Sequence, residues 1–297
     1  MDFRVEFEAY KREHPYREFP VQGGRFRYIL SGESGKPAIV FLNGLDMQEA
    51  WLRYMIAFEQ EYRVLMMEYP LSCATTDALL DAIVALLKEL GIERPILVGV
   101  SDGGLLAQLF VRRFPGNVGA LVLMTTVTID SKYCEDTNRE NANRYLTKVR
   151  LIPYAILKRV LLRIVKTYFN DESDAERAYG TSFLKYIASD PAYKQKYLHA
   201  VRLVYDGAKQ PKLRTEEFAG LRDRVLILHP EQDIFIKEDQ QKLTALLADV
   251  GAETKTMRGG HLAFVSSPEL YIGAIRGFLN RLQLRKDDDN RWTYDDK

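Results

Sequence analysis

The feature that most constrains the fold is a series of short, almost wholly apolar runs separated by amphipathic segments. Strands buried on both faces have such runs, whereas strands with one solvated face alternate. The intervening segments have helical periodicity, as in residues 76–90, which end before Gly91. The alternation therefore predicts a mostly parallel sheet covered by helices on both faces. The runs that we interpret as strands are residues 25–30, 38–42, 63–67, 95–100, 118–126, 225–229 and 253–257.

This alternation stops between about residues 131 and 214, where the sequence has helical segments and no convincing strand. Pro153 is expected to divide one of them, residues 141–169, into two helices. A helical insertion between two strands is predicted to cover the carboxyl edge of the sheet, where open α/β sheets bind ligands. The predicted units are an α/β core of residues 1–130 and 216–284, a helical cap of residues 131–215 and a flexible charged tail of residues 285–297.

The composition argues against several classes of protein. The 42 Lys and Arg residues nearly balance the 41 Asp and Glu residues, so no overall field would attract nucleic acid. Two cysteines, Cys73 and Cys134, exclude a disulfide framework and have no metal-ligand spacing. The N-terminus has no apolar signal region, and the longest apolar runs are too short to span a membrane. We therefore expect a soluble, cytoplasmic protein without a metal or other cofactor.

The strongest local motif is Gly-Val-Ser-Asp-Gly, in which Ser101 lies between Gly99 and Gly103. It comes where a predicted buried strand meets a predicted helix, which is the context of a nucleophile elbow. Glycines keep side chains out of such a tight turn, and the amino end of the following helix favours developing negative charge. The motif predicts that Ser101 is a nucleophile.

A serine nucleophile needs a base that is oriented by a carboxylate. Of the four histidines, His261 follows two glycines and the last predicted strand, so we favour it as the base. Asp233 follows the strand at 225–229 and is favoured as the acid, with Glu231 and Asp130 as alternatives. His14, His199 and His229 are interpreted as surface or structural residues.

The tetrahedral intermediate needs two backbone N–H donors, which form an oxyanion hole. One should be the amide of Asp102, the residue after the nucleophile. The other should come from the loop after the strand at 38–42, and the Leu45 amide is the favoured donor because Gly44 permits a tight backbone path.

With Ser101, Asp233 and His261 in this chain order, residues 16–284 resemble proteins of the α/β-hydrolase fold. The resemblance implies a mostly parallel eight-stranded sheet flanked by helices, with a helical cap insertion. It also implies that Leu45 and Asp102 supply the oxyanion amides.

Within this fold the sequence resembles two branches. The short Glu68-Tyr69-Pro70 turn resembles maspardin-like proteins, which implies a non-catalytic protein-binding module. The Ser101-Asp102 pair resembles valacyclovir-hydrolase-type esterases, which implies that Asp102 contacts the ammonium group of an amino-acid ester. Asn43 stands where many members have histidine, and it is a second candidate for a substrate contact.

The predicted cap carries a basic amphipathic stretch between Arg144 and Lys166, with no acidic residue. Such a helix can lie on an anionic membrane surface or bind an acidic partner. The interpretation that we prefer is a helix that buries its apolar face over the active site while its charges remain solvated. Its basic residues are Arg144, Lys148, Arg150, Lys158, Arg159, Arg163 and Lys166.

The sequence therefore favours a carboxylesterase-like serine hydrolase (EC 3.1.1) that acts on small acyl compounds, above all carboxylic esters, through an acyl-enzyme. The maspardin-like binding module is the alternative. Amide, lactone or carbon–carbon bond hydrolysis and perhydrolase chemistry stay open, because they differ in pocket residues that the sequence does not identify. The sequence also leaves the oligomeric state open.

Overall fold

The computed structural model describes residues 2–138, 142–168, 172–282, 284–286 and 292–294. Eight strands form one sheet in the order β1-β2-β4-β3-β5-β6-β7-β8. The pairs β1–β2 and β2–β4 are antiparallel, and all other neighbours are parallel. This is the mostly parallel, eight-stranded sheet that the sequence predicts. The strands are β1 Arg17–Val21, β2 Gly24–Ser31, β3 Ala38–Leu42, β4 Arg63–Glu68, β5 Ile96–Val100, β6 Ala120–Met124, β7 Val225–Gln232 and β8 Glu253–Gly260.

Helices cover both faces of the sheet. Alternate residues of each strand point to opposite faces, so Phe41 packs in one apolar core and Val40 in the other. The helices of the α/β part are α1 Phe3–Glu13, α2 Leu52–Phe58, α3 Thr76–Glu89, α4 Asp102–Arg113, α10 Lys237–Ala248, α11 Ala263–Ser266 and α12 Pro268–Arg281, with 3₁₀ turns at Gln48–Trp51 and Thr215–Leu221.

Among the described residues between β6 and β7, five helices form the helical insertion. Pro153 separates two of them, as predicted, because proline cannot donate the backbone hydrogen bond that a continuous helix needs there. Helix α8 begins at a capping box, in which the Ser173 and Glu176 side chains bind each other's backbone amides. The five are α5 Lys132–Asn138, α6 Ala142–Leu151, α7 Tyr154–Tyr168, α8 Asp174–Ile187 and α9 Tyr193–Gly207.

The ends of the chain contain elements that the sequence interpretation does not include. Helix α1 is capped by Asp2 and buries Phe3, Phe7 and Tyr10. At the other end, β9 Leu284–Lys286 pairs antiparallel with β10 Trp292–Tyr294, mostly within the predicted tail. The rest of the tail lies outside the described residues, and the flexibility of the tail and the domain boundaries stay predictions.

No helix among the described residues is long and apolar enough to cross a membrane. The basic stretch falls on α6 and α7, where Leu151 is 77% exposed, Ile156 47% and Val160 45%. Leu157 of the same stretch is buried. The stretch therefore has one packed side and one exposed apolar side, and its contact with a membrane surface stays a prediction.

Candidate active site

Ser101 lies at the sharp turn between β5 and α4, with φ 54° and ψ −124°. A non-glycine residue rarely adopts a positive φ, so this backbone is strained and must be held by its surroundings. The Ser101 amide donates to the Met124 carbonyl at 3.0 Å, and the Thr126 hydroxyl donates to the Ser101 carbonyl at 2.6 Å. The neighbouring strand β6 thus fixes the turn that raises the serine side chain above the sheet edge.

The glycines of the elbow are required by close backbone contacts. A Cβ on Gly99 would lie 2.4 Å from the Gly103 carbonyl oxygen, and a Cβ on Gly103 would lie 2.2 Å from the Leu42 carbonyl oxygen. Both distances are well below a van der Waals contact. This confirms the predicted reason for glycine at these two positions.

The structure brings Ser101, His261 and Asp233 together from three parts of the chain. His261 Nε2 lies 3.1 Å from Ser101 Oγ, and His261 Nδ1 lies 2.6 Å from Asp233 Oδ1. Because a carboxylate accepts hydrogen bonds, the ring proton is assigned to Nδ1. Nε2 then presents its lone pair to the serine hydroxyl, which is the arrangement that a general base requires.

Asp233 is held rigidly beside the histidine. Its side chain is fully buried. It accepts hydrogen bonds from the Ile234 amide at 2.7 Å and from the Gln240 side chain at 3.3 Å. The ring of Phe235 packs edge-on against His261, with centroids 5.3 Å apart. The loop after β7 thus fixes both the carboxylate and one side of the imidazole.

The loop that carries His261 is tied to the helical insertion by two acidic side chains that the sequence analysis did not single out. Ser266 donates to Glu172 at 2.5 Å, and Ser267 donates to Glu176 at 2.6 Å. Burial raises the pKa of Glu172. A helical pattern gives no signal for such long-range contacts.

One of the two backbone amides expected to form the oxyanion hole binds a side-chain carboxyl group in this structure. The Leu45 amide donates to Asp102 Oδ1 at 2.8 Å. Burial raises the pKa of Asp102 to about 7, although hydrogen bonds from backbone amides and the nearby His261 oppose the rise. Leu45 has φ 46°, so the loop is bent sharply at this donor.

Asn43 lies beneath this loop as a support. Its side chain donates to the Met67 carbonyl at 2.6 Å and to Asp46 at 3.2 Å, and accepts from the Trp51 indole at 3.1 Å. Asn43 is fully buried, and burial also raises the pKa of Asp46. With these partners, the amide of Asn43 has a structural role, and its contact with a substrate stays a prediction.

The alternative acids have different surroundings from Asp233. Asp130 pairs with Lys212, and Glu231 is exposed at the end of β7. Of the candidate carboxylates, Asp233 is therefore the one whose hydrogen bond to His261 the structure contains.

The other histidines make local contacts. His199 Nε2 lies 2.7 Å from the Cys73 carbonyl, His229 lies 3.3 Å from a threonine hydroxyl of α10, and His14 lies 3.5 Å from Glu59. Burial lowers the pKa of His199 and of His229. These contacts fit the surface role predicted for His14 and the structural roles predicted for His199 and His229.

Both cysteines are buried and free. Within the described ranges, no group of three or more histidine, cysteine, aspartate or glutamate side chains could hold a metal ion. The hydrogen bonds that join Ser101, His261 and Asp233 offer acid–base and nucleophilic chemistry from protein side chains.

The sequence profile of the Alpha/beta hydrolase family matches residues 39–274, which is most of the chain. This chain belongs to that family. The match includes the elbow, the helical insertion and the histidine loop, in agreement with the fold predicted from the motifs.

The curated relatives match a smaller part of the chain. The chain is 29% identical to Epoxide hydrolase 4 of Homo sapiens over a stretch covering 37% of this chain and 34% of that protein, and 30% identical to the Mus musculus protein. The match thus spans about a third of the length of these relatives.

Solved structures share the fold over nearly the whole chain. The enol-lactonase from Burkholderia xenovorans has a TM-score of 0.70 at 18% identity, covering 89% of this chain and all of that one. Est816, an N-acyl homoserine lactone degrading enzyme, has a TM-score of 0.69 at 19% identity, covering 88% of this chain and all of that one. At these identities the likeness extends to the fold alone.

Proposed function

We propose that this chain is a serine hydrolase that cleaves small carboxylic esters through an acyl-enzyme. The observation that carries the proposal is the continuous hydrogen-bonded series from Ser101 Oγ through His261 to the buried Asp233. A serine hydroxyl is a weak nucleophile, and this series is the arrangement that activates it.

In the first half of the reaction, Ser101 Oγ attacks the ester carbonyl carbon while His261 Nε2 takes the hydroxyl proton. The positive imidazole is stabilised by Asp233, which lies 2.6 Å from Nδ1. When the carbon–oxygen bond of the ester breaks, His261 returns the proton to the leaving alcohol. In the second half, water attacks the acyl-enzyme by the same proton transfers and releases the carboxylic acid and Ser101.

The fold relatives include lactone-degrading enzymes, and a lactone is a cyclic ester. The same attack on a carbonyl would open it, so lactones belong among the candidate substrates. Opening of an epoxide fits less well, because attack by Ser101 would produce an ether. An ether has no carbonyl for water to attack, and the enzyme would not be regenerated.

A maspardin-like binding module is the second candidate. The strained backbone of Ser101 argues against it, since strain at such a position is retained where the surrounding structure serves a purpose there. A protein that used only its surface would gain nothing from this turn.

The proposal is tested with p-nitrophenyl esters of increasing acyl length. We expect hydrolysis by the wild-type chain and its loss in Ser101→Ala. The matched control is Ser189→Ala, which removes an exposed serine hydroxyl that binds a helix carbonyl. Equal rates in the wild type and Ser101→Ala would contradict the proposal. A folded wild type without any ester hydrolysis would favour the binding module.

A further inference from the structure

A carboxyl group of the protein occupies one of the two donors that an oxyanion hole would use. The Leu45 amide donates to Asp102 Oδ1 at 2.8 Å. An oxyanion hole works because its donors are aimed at the oxygen that becomes negative during the reaction. Here the Leu45 donor already binds an oxygen of the protein itself.

This carboxylate lies beside the nucleophile. A Cβ on Gly44 would be 3.2 Å from the Ser101 Cβ and 3.5 Å from Asp102 Oδ1, so both groups border the same glycine. The carboxylate oxygen therefore stands at the place where a substrate carbonyl oxygen would meet the Leu45 amide. The two oxygens cannot occupy this place together.

Charge adds to the steric conflict in the ionised form of the Asp102 side chain. The Leu45 amide donates to this side chain, and His261 is the cation that forms nearby during the reaction. Burial disfavours ionisation and raises the pKa to about 7. A second negative oxygen beside the ionised carboxylate would be repelled, because the surroundings screen charge less than water does.

We propose that the Asp102 carboxylate occupies the oxyanion hole of the free enzyme, and that an ester is hydrolysed only when this side chain leaves the Leu45 amide. This inference rests on the proposed hydrolase function, and it makes Asp102 a residue that limits how readily the oxyanion forms. Every ester must displace the carboxylate before its carbonyl oxygen can reach the Leu45 amide.

The test measures hydrolysis of one neutral ester, isovaleric acid benzyl ester, by the wild type and two variants. In Asp102→Ala, kcat/KM for this neutral ester is expected to rise at least about tenfold, because the competing carboxylate is gone. In Asp102→Asn, the neutral amide can still accept from Leu45, so the rise should be smaller.

The control is Asp81→Ala, which removes an exposed carboxylate that pairs with Arg113 and should leave kcat/KM for the neutral ester unchanged. Thermal unfolding checks that each variant is folded, and Asp102→Asn decides the question if the alanine variant is not. An unchanged or reduced rate for the neutral ester in the folded Asp102 variants, while hydrolysis still depends on Ser101, would overturn the inference alone. Loss of the proposed function itself would appear as wild-type hydrolysis that does not depend on Ser101.

A structural readout is independent of turnover. In a crystal structure of the wild type with a phosphonate bound covalently to Ser101, we expect the phosphoryl oxygen on the Leu45 and Asp102 amides and the Asp102 carboxylate turned away. An adduct in which the carboxylate still accepts from the Leu45 amide would overturn the inference.

Discussion

The two sides of Ser101 differ in how far they are prepared for reaction. On the proton-transfer side, His261 and Asp233 already have the distances that base catalysis needs, 3.1 and 2.6 Å. On the oxyanion side, the Leu45 amide is 2.8 Å from a carboxylate of the protein. In the proposed hydrolase, one half of the site is therefore complete in the free chain, and the other must change before an oxyanion can form. We infer from this difference that reactivity is controlled on the oxyanion side.

The largest expected effect comes from damage to the prepared side. Asp233→Asn keeps the shape of the side chain but removes the charge that fixes the ring proton on Nδ1 of His261. We expect kcat for ester hydrolysis to fall about 10⁴-fold. The matched control is Asp130→Asn, at the carboxylate that pairs with Lys212, and its kcat should equal that of the wild type. Similar losses in both variants would contradict the role of Asp233.

The elbow shared by the two sides should be intolerant of a single methyl group. In Gly103→Ala the new Cβ would lie 2.2 Å from the Leu42 carbonyl oxygen, and backbone cannot easily move away. We expect the free energy of unfolding to fall by about 3 kcal/mol, the upper end for overpacking. Urea denaturation measures it. Gly220→Ala is the control, because a Cβ there has no atom within 4 Å. Equal stability of the two variants would show that the turn is looser than the structure indicates.

A smaller effect is expected on the free energy of unfolding, because the Asp102 carboxylate on the oxyanion side is buried. Burial raises the pKa of Asp102 from 3.8 to about 7, and His261 opposes this rise. The hydroxyls of Tyr69, Tyr133 and Tyr193 also lie near it, and their raised pKa values keep them neutral. Between pH 4 and 7 the folded chain holds a proton that the unfolded chain has lost. The free energy of unfolding therefore falls as pH rises through this range.

Asp102→Asn has no carboxyl group to titrate at this position, so its free energy of unfolding should not fall in this way. The free energy of unfolding of the variant minus that of the wild type should therefore increase by about 2 kcal/mol from pH 4 to pH 8. Urea denaturation at the two pH values gives the difference. Asp81→Asn provides a control of opposite sign. The bond from Arg113 lowers the pKa of Asp81, so the carboxylate stabilises the fold as pH rises. A stability difference for Asp102→Asn that does not change with pH would mean that the carboxylate is well solvated.

Much of the fold could be predicted because the central strands are buried on both faces and so have continuous apolar sequences. The edge strand β1 was missed, since Arg17 and Glu18 are exposed and the segment has no apolar run. Helix α1 was also missed, although Phe3, Phe7 and Tyr10 are spaced to share one helix face. This spacing is typical of an amphipathic helix.

The site could be predicted only in part. The two flanking glycines identified Ser101, because a steric requirement restricts the residue types at those positions. The bond between Leu45 and Asp102 joins residues 57 positions apart, and no local pattern encodes it. The same holds for Ser266 with Glu172. Contacts between distant side chains and backbone depend on the folded geometry, so these features required the structure.

The most direct test of the central claim is to locate the site of a covalent label. After reaction with a fluorophosphonate, intact-mass spectrometry of the wild type should show one adduct, and peptide mapping should place it on Ser101. His261→Ala should label far more slowly, because Nε2 no longer takes the serine proton. A folded wild type that stays unlabelled, or that is labelled at another residue while Ser101 remains free, would contradict the account.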